Sequence, residues 1–137
     1  MRMIKIKHIT ALVITAFPVL VSAQTLLTDF RINNNTNSYI TSTLGSSRCS
    51  AEVNEQGKIK PKTSANVPSI LFELFCKNRC EVKLYMSKNC EATQKAATLL
   101  IDRKQGLLSI TNHHSKYQVT GSGFAINVNG GFAKRNA

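Results

Sequence analysis

The side chains best equipped for chemistry are four cysteines, Cys49, Cys76, Cys80 and Cys90, the adjacent pair His113 and His114, and the alternating lysines Lys58, Lys60 and Lys62. Two kinds of cysteine chemistry compete. C-x3-C with a third cysteine further on, together with the histidine pair, offers thiolate and imidazole to a metal ion. That spacing is not that of a familiar zinc module, and thiolate ligands need reduced sulfur, which export disfavours. No C-x-x-C redox motif occurs. In an exported domain an even cysteine count reads as disulfides, and four cysteines allow three pairings.

Chain reach chooses among them. If Cys76 closes one strand and Cys80 opens the next, Lys77-Asn78-Arg79 is a hairpin turn and the two sulfurs face each other across its base. From Cys80 an extended run to Met86 covers ~20 Å. The four residues to Cys90 return at most ~14 Å, so Cys80 and Cys90 barely meet within the ~6.8 Å Cα limit. The expected bridges are therefore Cys76 to Cys80 and Cys49 to Cys90. The second closes a loop of ~40 residues and contributes ~3–4 kcal/mol in the chain-entropy model.

Catalytic constellations are sparse. Neighbouring histidines point opposite ways on extended backbone, so His113 and His114 make a poor acid and base pair, even with Lys116 nearby as a phosphate ligand. Gly121-Ser122-Gly123 lacks the G-x-S-x-G spacing and the strand-to-helix setting of a nucleophile elbow; a hairpin turn explains it. The carboxylates Asp29, Glu52, Glu55, Glu73, Glu81, Glu91 and Asp102 are scattered. Glu73 stands out because it interrupts the most apolar run and needs a cation or donors if buried. No phosphate-cradling loop, calcium loop or dinucleotide fingerprint is present, and no cofactor is expected.

Charge supplies the positive argument. The 137 residues hold 18 Lys and Arg against 7 Asp and Glu, a formal net charge of +11. Arg2, Lys5 and Lys7 precede an apolar stretch from Ile9 to Val21, and Val21-Ser22-Ala23 offers small residues for cleavage. That is the pattern of a secretory signal peptide over residues 1–23. The stretch is ~13 residues, short of the ~20 that a membrane span needs. Gln24 stands where a lipoprotein would carry Cys. Removal of 1–23 would leave fifteen basic residues facing the same 7 acidic ones, +8, in a domain of residues 24–137 ending in a basic tail, Phe132 to Ala137. Such a charge favours an anionic surface or an acidic protein as partner, and also by itself keeps a small protein soluble.

The elements that must position these groups read as all-β. Short β-branched and aromatic runs alternate with clusters of Asn, Ser, Gly and Lys, and no stretch of the mature chain holds a helical period for three turns. Strands are expected near Asp29–Asn33, Tyr39–Leu44, Cys49–Val53, Val67–Phe75, Cys80–Met86, Ala96–Asp102, Leu107–Thr111, Tyr117–Thr120 and Phe124–Asn129. That set suits a single-domain antiparallel β-sandwich, Greek-key-like, with two disulfides. Val82, Leu84 and Met86 alternate with Glu81, Lys83 and Tyr85, and Phe124, Ile126 and Val128 with Ala125, Asn127 and Asn129, so one face of each strand is core. Ile70 to Phe75 is apolar on both faces apart from Glu73 and reads as a central strand, with a short helix as the alternative.

Lys58, Lys60 and Lys62 would then lie on one side of an extended edge segment, either guarding the edge against aggregation or binding an anionic partner. Lys77, Arg79 and Lys88 extend the candidate binding set. Specific nucleic-acid readout is disfavoured, because Phe30, Tyr39, Phe72, Phe75, Tyr85, Tyr117 and Phe124 fall mostly at strand positions suited to core packing rather than interleaved with Arg.

From Val82-Lys-Leu-Tyr-Met-Ser-Lys-Asn-Cys90 through Ala97–Asp102 to Gly106-Leu-Leu-Ser-Ile110, the order of an aromatic strand, a folded hairpin and a Ser-Ile strand resembles a βγ-crystallin Greek-key unit. Cys90-Glu91-Ala92 replaces the aromatic-x-Gly corner, and Arg103-Lys104-Gln105 stands where that family has its acidic calcium pair. The resemblance therefore implies the fold without calcium. More broadly the chain resembles small, disulfide-bonded exported bacterial proteins, which implies no mechanism.

The leading expectation is an exported, non-enzymatic binding protein for an anionic partner. The alternatives are an inhibitor or effector that caps another protein with a braced loop, Lys77–Arg79 or Lys88–Gln94, and a small hydrolase using His113, Glu73 or another tertiary pairing. The sequence sets no oligomeric state.

Overall fold

Alternation is what the strands share, and it sorts them into two sheets. The computed structural model describes residues 28–131, so the expected signal peptide and the basic tail lie outside the described residues. Eight strands are present: β1 Phe30–Asn34, β2 Thr41–Leu44, β3 Ser64–Val67, β4 Arg79–Tyr85, β5 Lys95–Asp102, β6 Gly106–Asn112, β7 Tyr117–Ser122 and β8 Ala125–Gly130. They form a sandwich of two four-stranded sheets in the orders β3-β1-β8-β7 and β2-β4-β5-β6. All sheet pairings are antiparallel except β1 with β8, which run parallel. Residues 82–110 fall in the meander β4-β5-β6.

Where polar neighbours state the period, the expected faces hold. Val82, Leu84 and Met86 are buried, as are Ile126 and Val128, while Glu81 is exposed. Phe30 and Ile32 from β1 and Ala97, Leu99 and Ile101 from β5 complete the core between the sheets. Leu84, Leu99 and Ile126 are fully buried.

Two expected strands are helices. Cys49–Val53 turns as α1, Ser50–Val53, and the run beyond Val67 leaves β3 through Pro68 and coils as α2, Ser69–Phe75. Both segments are poor in β-branched residues, with only Val53 and Ile70, and rich in good helix formers such as Ala51, Glu52, Leu71, Glu73 and Leu74. Pro68 ends the strand, and the carboxylate of Asp29 accepts the Ser69 N–H at 2.9 Å, satisfying one of the free donors at the helix start. Phe72 and Cys76, one turn apart, face the core, where Phe72 meets Phe30 edge to face at 6.2 Å. Ile70, Leu74 and Phe75 remain exposed, so Phe75 is not the core aromatic expected of a strand.

The disulfides pair as the reach argument requires, Cys49 with Cys90 (Cα–Cα 5.9 Å) and Cys76 with Cys80 (5.0 Å). The setting of the second differs from the expected hairpin base: Cys76 follows a helix, and only Cys80 lies in a strand.

The two sides of the sandwich are closed differently. On one, β6 packs beside β7, and the Asn112 side chain bonds both Val119 backbone groups: Oδ1 accepts from the N–H at 2.8 Å, and Nδ2 donates to the carbonyl at 3.2 Å. Nearby the Leu107 N–H donates to the Gly123 carbonyl at 2.7 Å. Gly106, at φ +87°, lies so close to that carbonyl that a Cβ would collide with it. On the other side the sheets end in β2 and β3, and α1, a single 3-10 turn at Glu55–Gly57 and α2 line the gap.

Candidate functional site

The six cations singled out by sequence fall into two groups, separated by the length of β4. Arg79 begins that strand and Lys88 lies beyond its end, about 20 Å away along it. Ile40 bridges to Ile59, and β2 continues from Ile40 with Thr41 opposite Tyr85. Lys58 and Lys60, which flank Ile59, therefore share the Tyr85 end of the molecule with Lys88. The Lys88 ammonium lies 4.8 Å from the ring centre of Tyr39, next to that bridge.

The segment that carries the lysines is not the extended edge expected from its alternation. Ile59 makes an isolated bridge, Pro61 and Lys62 turn, and Lys62 adopts φ 61°, so the three ammonium groups do not share one face of a strand. A fixed β-type φ cannot hold through a turn, and the proline withholds an N–H. Instead a buried side chain pins the segment: Asn34 Nδ2 donates to the carbonyls of Ser38, Ile59 and Lys60, while its Oδ1 accepts from the Thr36 N–H and hydroxyl. Lys58 pairs with Glu55 at 3.4 Å, and Lys62 Nζ donates to the Asn35 carbonyl at 3.0 Å. Lys60, Lys62 and Lys88 have no carboxylate ion pair among the described residues.

At the opposite end, Lys77 and Arg79 belong to the tight loop between the Cys76 and Cys80 bridge positions. The Arg103 guanidinium donates to the Lys77 carbonyl and to Glu73, each at 3.0 Å. That gives Glu73 its cation, half exposed on α2 rather than buried in a strand. Arg79 approaches Asp102 at 3.9 Å. The N–H groups of Gln105 and Lys104 donate to the same Asp102 carboxylate and hold its pKa below the ordinary 3.8, with Arg79 adding a smaller pull.

The histidines part company. His113 Nε2 bonds the Thr98 hydroxyl at 2.8 Å, whereas the His114 ring packs on Tyr117 at 5.0 Å and its Nδ1 accepts from the Lys116 N–H. The four sulfurs that a metal would have recruited are all consumed in disulfides.

A second feature has no counterpart in the sequence reading. Between β2, β3 and the two helices runs a groove of about 450 Å³ lined by Leu44, Ile59, Val67, Ile70, Leu71 and Phe75. Gly57 lets α1 and the 3-10 turn close over it, since a Cβ there would collide with the Ser50 carbonyl. Val53 and Ile70 stand on its lips, 58% and 55% exposed. Among the described residues Arg48 is the charged member of the lining, and no carboxylate contributes to it. The run Ile70–Phe75, apolar apart from Glu73, is the one sequence signal that could have pointed here, because as a helix it has more apolar residues than one core face absorbs.

No helix among the described residues is long and apolar enough to cross a membrane. A family model described as NttC, T2SS substrate NttC, matches residues 1–134. No curated protein and no solved structure matches the chain.

Proposed function

The chain belongs to the NttC family of T2SS substrates, and from that premise we propose that this secreted protein is a non-enzymatic binding module for an anionic partner. The observation that carries the reading is the grouping of Lys58, Lys60, Lys62 and Lys88 around the Ile40–Ile59 bridge, with three of the four free of any ion-paired carboxylate among the described residues. Cations left unneutralised at one end of a molecule with an excess of positive charge raise the local potential and steer anionic surfaces towards that end. Export agrees with the two disulfides, which persist in oxidising compartments. Lys77 and Arg79 take a lesser part, because the loop carbonyl is tied to Arg103 and Arg79 faces Asp102.

The test is binding to vesicles with and without anionic lipid at low and physiological salt. Wild-type attachment should require the anionic lipid and weaken several-fold as salt rises. The triple variant K58E/K60E/K62E should lose attachment while its melting temperature stays within about 2 °C, since exposed charges contribute little to stability. Attachment that ignores both salt and the triple variant would turn the reading towards the second one, in which a disulfide-braced loop, Lys77–Arg79 or Lys88–Gln94, caps another protein.

A further inference from the structure

The groove between β2, β3, α1 and α2 has a chemistry of its own, independent of the lysines. Its volume of about 450 Å³ lies within the roughly 300–1,000 Å³ common to small-molecule sites. Several of the polar groups in its wall are already engaged, although Ser42, with its hydroxyl, and Gln56, with its amide, also line it. The Ser50 hydroxyl accepts the Ser42 N–H at 2.9 Å and donates to the Gly57 carbonyl at 2.7 Å, and the Ser47 hydroxyl accepts the Leu44 N–H at 2.8 Å and donates to the Arg48 carbonyl. Asn54 Oδ1 accepts from the Gly57 N–H, and Asn66 Oδ1 from Arg31. A polyhydroxylated occupant would bury its own polar groups against these spent partners, which is unfavourable, whereas an aliphatic chain asks nothing of them.

Charge narrows the occupant further. Arg48 projects at the mouth with its side chain 78% exposed, and its contact with Glu52 is long, at 4.0 Å. Among the described residues no carboxylate lines the groove to repel an anion. A second copy of this chain is a poor lid, since two molecules with the same excess of Lys and Arg would be pressed together. We infer that the groove binds one long-chain fatty acid, its tail between α1 and α2 against Leu44, Ile59, Val67 and Leu71, and its carboxylate at Arg48. The exposed Val53, Ile70 and Phe75 close on the tail from the lips.

The secreted protein is titrated with cis-parinaric acid, whose fluorescence rises on entering an apolar site, and the probe is then displaced with palmitate or with hexadecanol. The expected result is saturable binding of one probe per chain, reversed by palmitate. I70D, at an exposed position in the first turn of α2 where a carboxylate suits the helix, should keep its circular dichroism and weaken binding at least about tenfold. L74D, on the same helix at 68% exposure but outside the groove, should bind as wild type does. R48E should weaken palmitate by about fivefold and leave hexadecanol unchanged, because only the carboxylate meets the guanidinium. Absence of saturable binding, equal loss in I70D and L74D, or equal loss of palmitate and hexadecanol in R48E would each overturn the inference.

Discussion

The two sides of this sandwich solve one problem in opposite ways. Where β6 meets β7, the sheets are sewn together by groups that mimic or continue a ladder: the Asn112 amide on the Val119 backbone and the Leu107 N–H on the Gly123 carbonyl. Where β2 and β3 part, no such stitching is needed, because α1 and α2 line the gap and a cystine fixes one end of each helix. Cys49 immediately precedes α1, and Cys76 immediately follows α2. Even the β2 edge is answered locally, its outward N–H groups of Ser42 and Leu44 donating to serine hydroxyls rather than to another strand. The closed side is held by non-covalent complementarity, and the open side by covalent bonds that allow its walls to stand apart. A secreted protein in an oxidising compartment can rely on that second device, and what it gains is a cleft that a fully packed seam would fill.

The strongest way to break the comparison is to remove the covalent bonds. C49S/C90S opens a loop spanning a sequence separation of 41, and the chain-entropy model gives about 4 kcal/mol. C76S/C80S opens a separation of only 4 and should cost about 2 kcal/mol. Urea unfolding measures both. Hydrogen exchange on the C49S/C90S protein should show faster opening around Ser50–Val53 and unchanged protection in β6 and β7. Equal loss of protection on the two sides would mean that they do not behave as separate units.

The next effect comes from the other side. Asn112→Ala removes both partners of Val119, a residue only 2% exposed, and should cost about 1–3 kcal/mol, the range for leaving buried backbone groups unpaired. Asn66→Ala, at the lip of the groove, removes only an exposed contact with Arg31 and should stay within about 0.5 kcal/mol. Chemical unfolding of the two variants sets seam against lip. A larger loss for Asn66→Ala would reverse the assignment of which side carries the packing.

The same contrast explains what could be read from the sequence. Strands β4 and β8 were legible because Glu81, Lys83, Asn127 and Asn129 mark the solvent face between the core residues, stating a period of two. The cystine pairing was legible because the extended run from Cys80 to Met86 carries the chain away from Cys90 and so favours one pairing, and it held although Cys76 turned out to follow a helix. The helix Ser69–Phe75 was open only as the alternative to a strand: a short run that is apolar apart from Glu73 fits either period, and Pro68 and the remote Asp29 carboxylate settle it. The lysine series misled for a related reason, since alternation of residue types survives a turn that alternation of faces does not. The groove was invisible because its walls come from strands and helices spread from Ile32 to Phe75, and no local pattern records a gap between them. Asn112, an ordinary polar residue at a strand end, carried no signal that it would reach across to β7.

The smallest expected effect tests whether the closed side has an acid-sensitive hinge that the open side lacks. Asp102 sits at the end of β5, where its carboxylate collects the Gln105 and Lys104 N–H groups and shapes the turn into β6. Its folded pKa is depressed, so its charge contributes stability that is present above the unfolded value of 3.8 and is lost as pH falls through the lower folded value. Asp102→Asn keeps an oxygen for the turn but removes the charge. Its melting temperature should therefore lie below wild type at pH 7, and the gap should close as pH is taken below about 4. Because this turn does not line the groove, palmitate binding by the variant at neutral pH should equal wild type. A gap independent of pH would locate the contribution in shape rather than charge, and a parallel loss of palmitate binding would show the turn and the groove to be mechanically coupled across the sandwich.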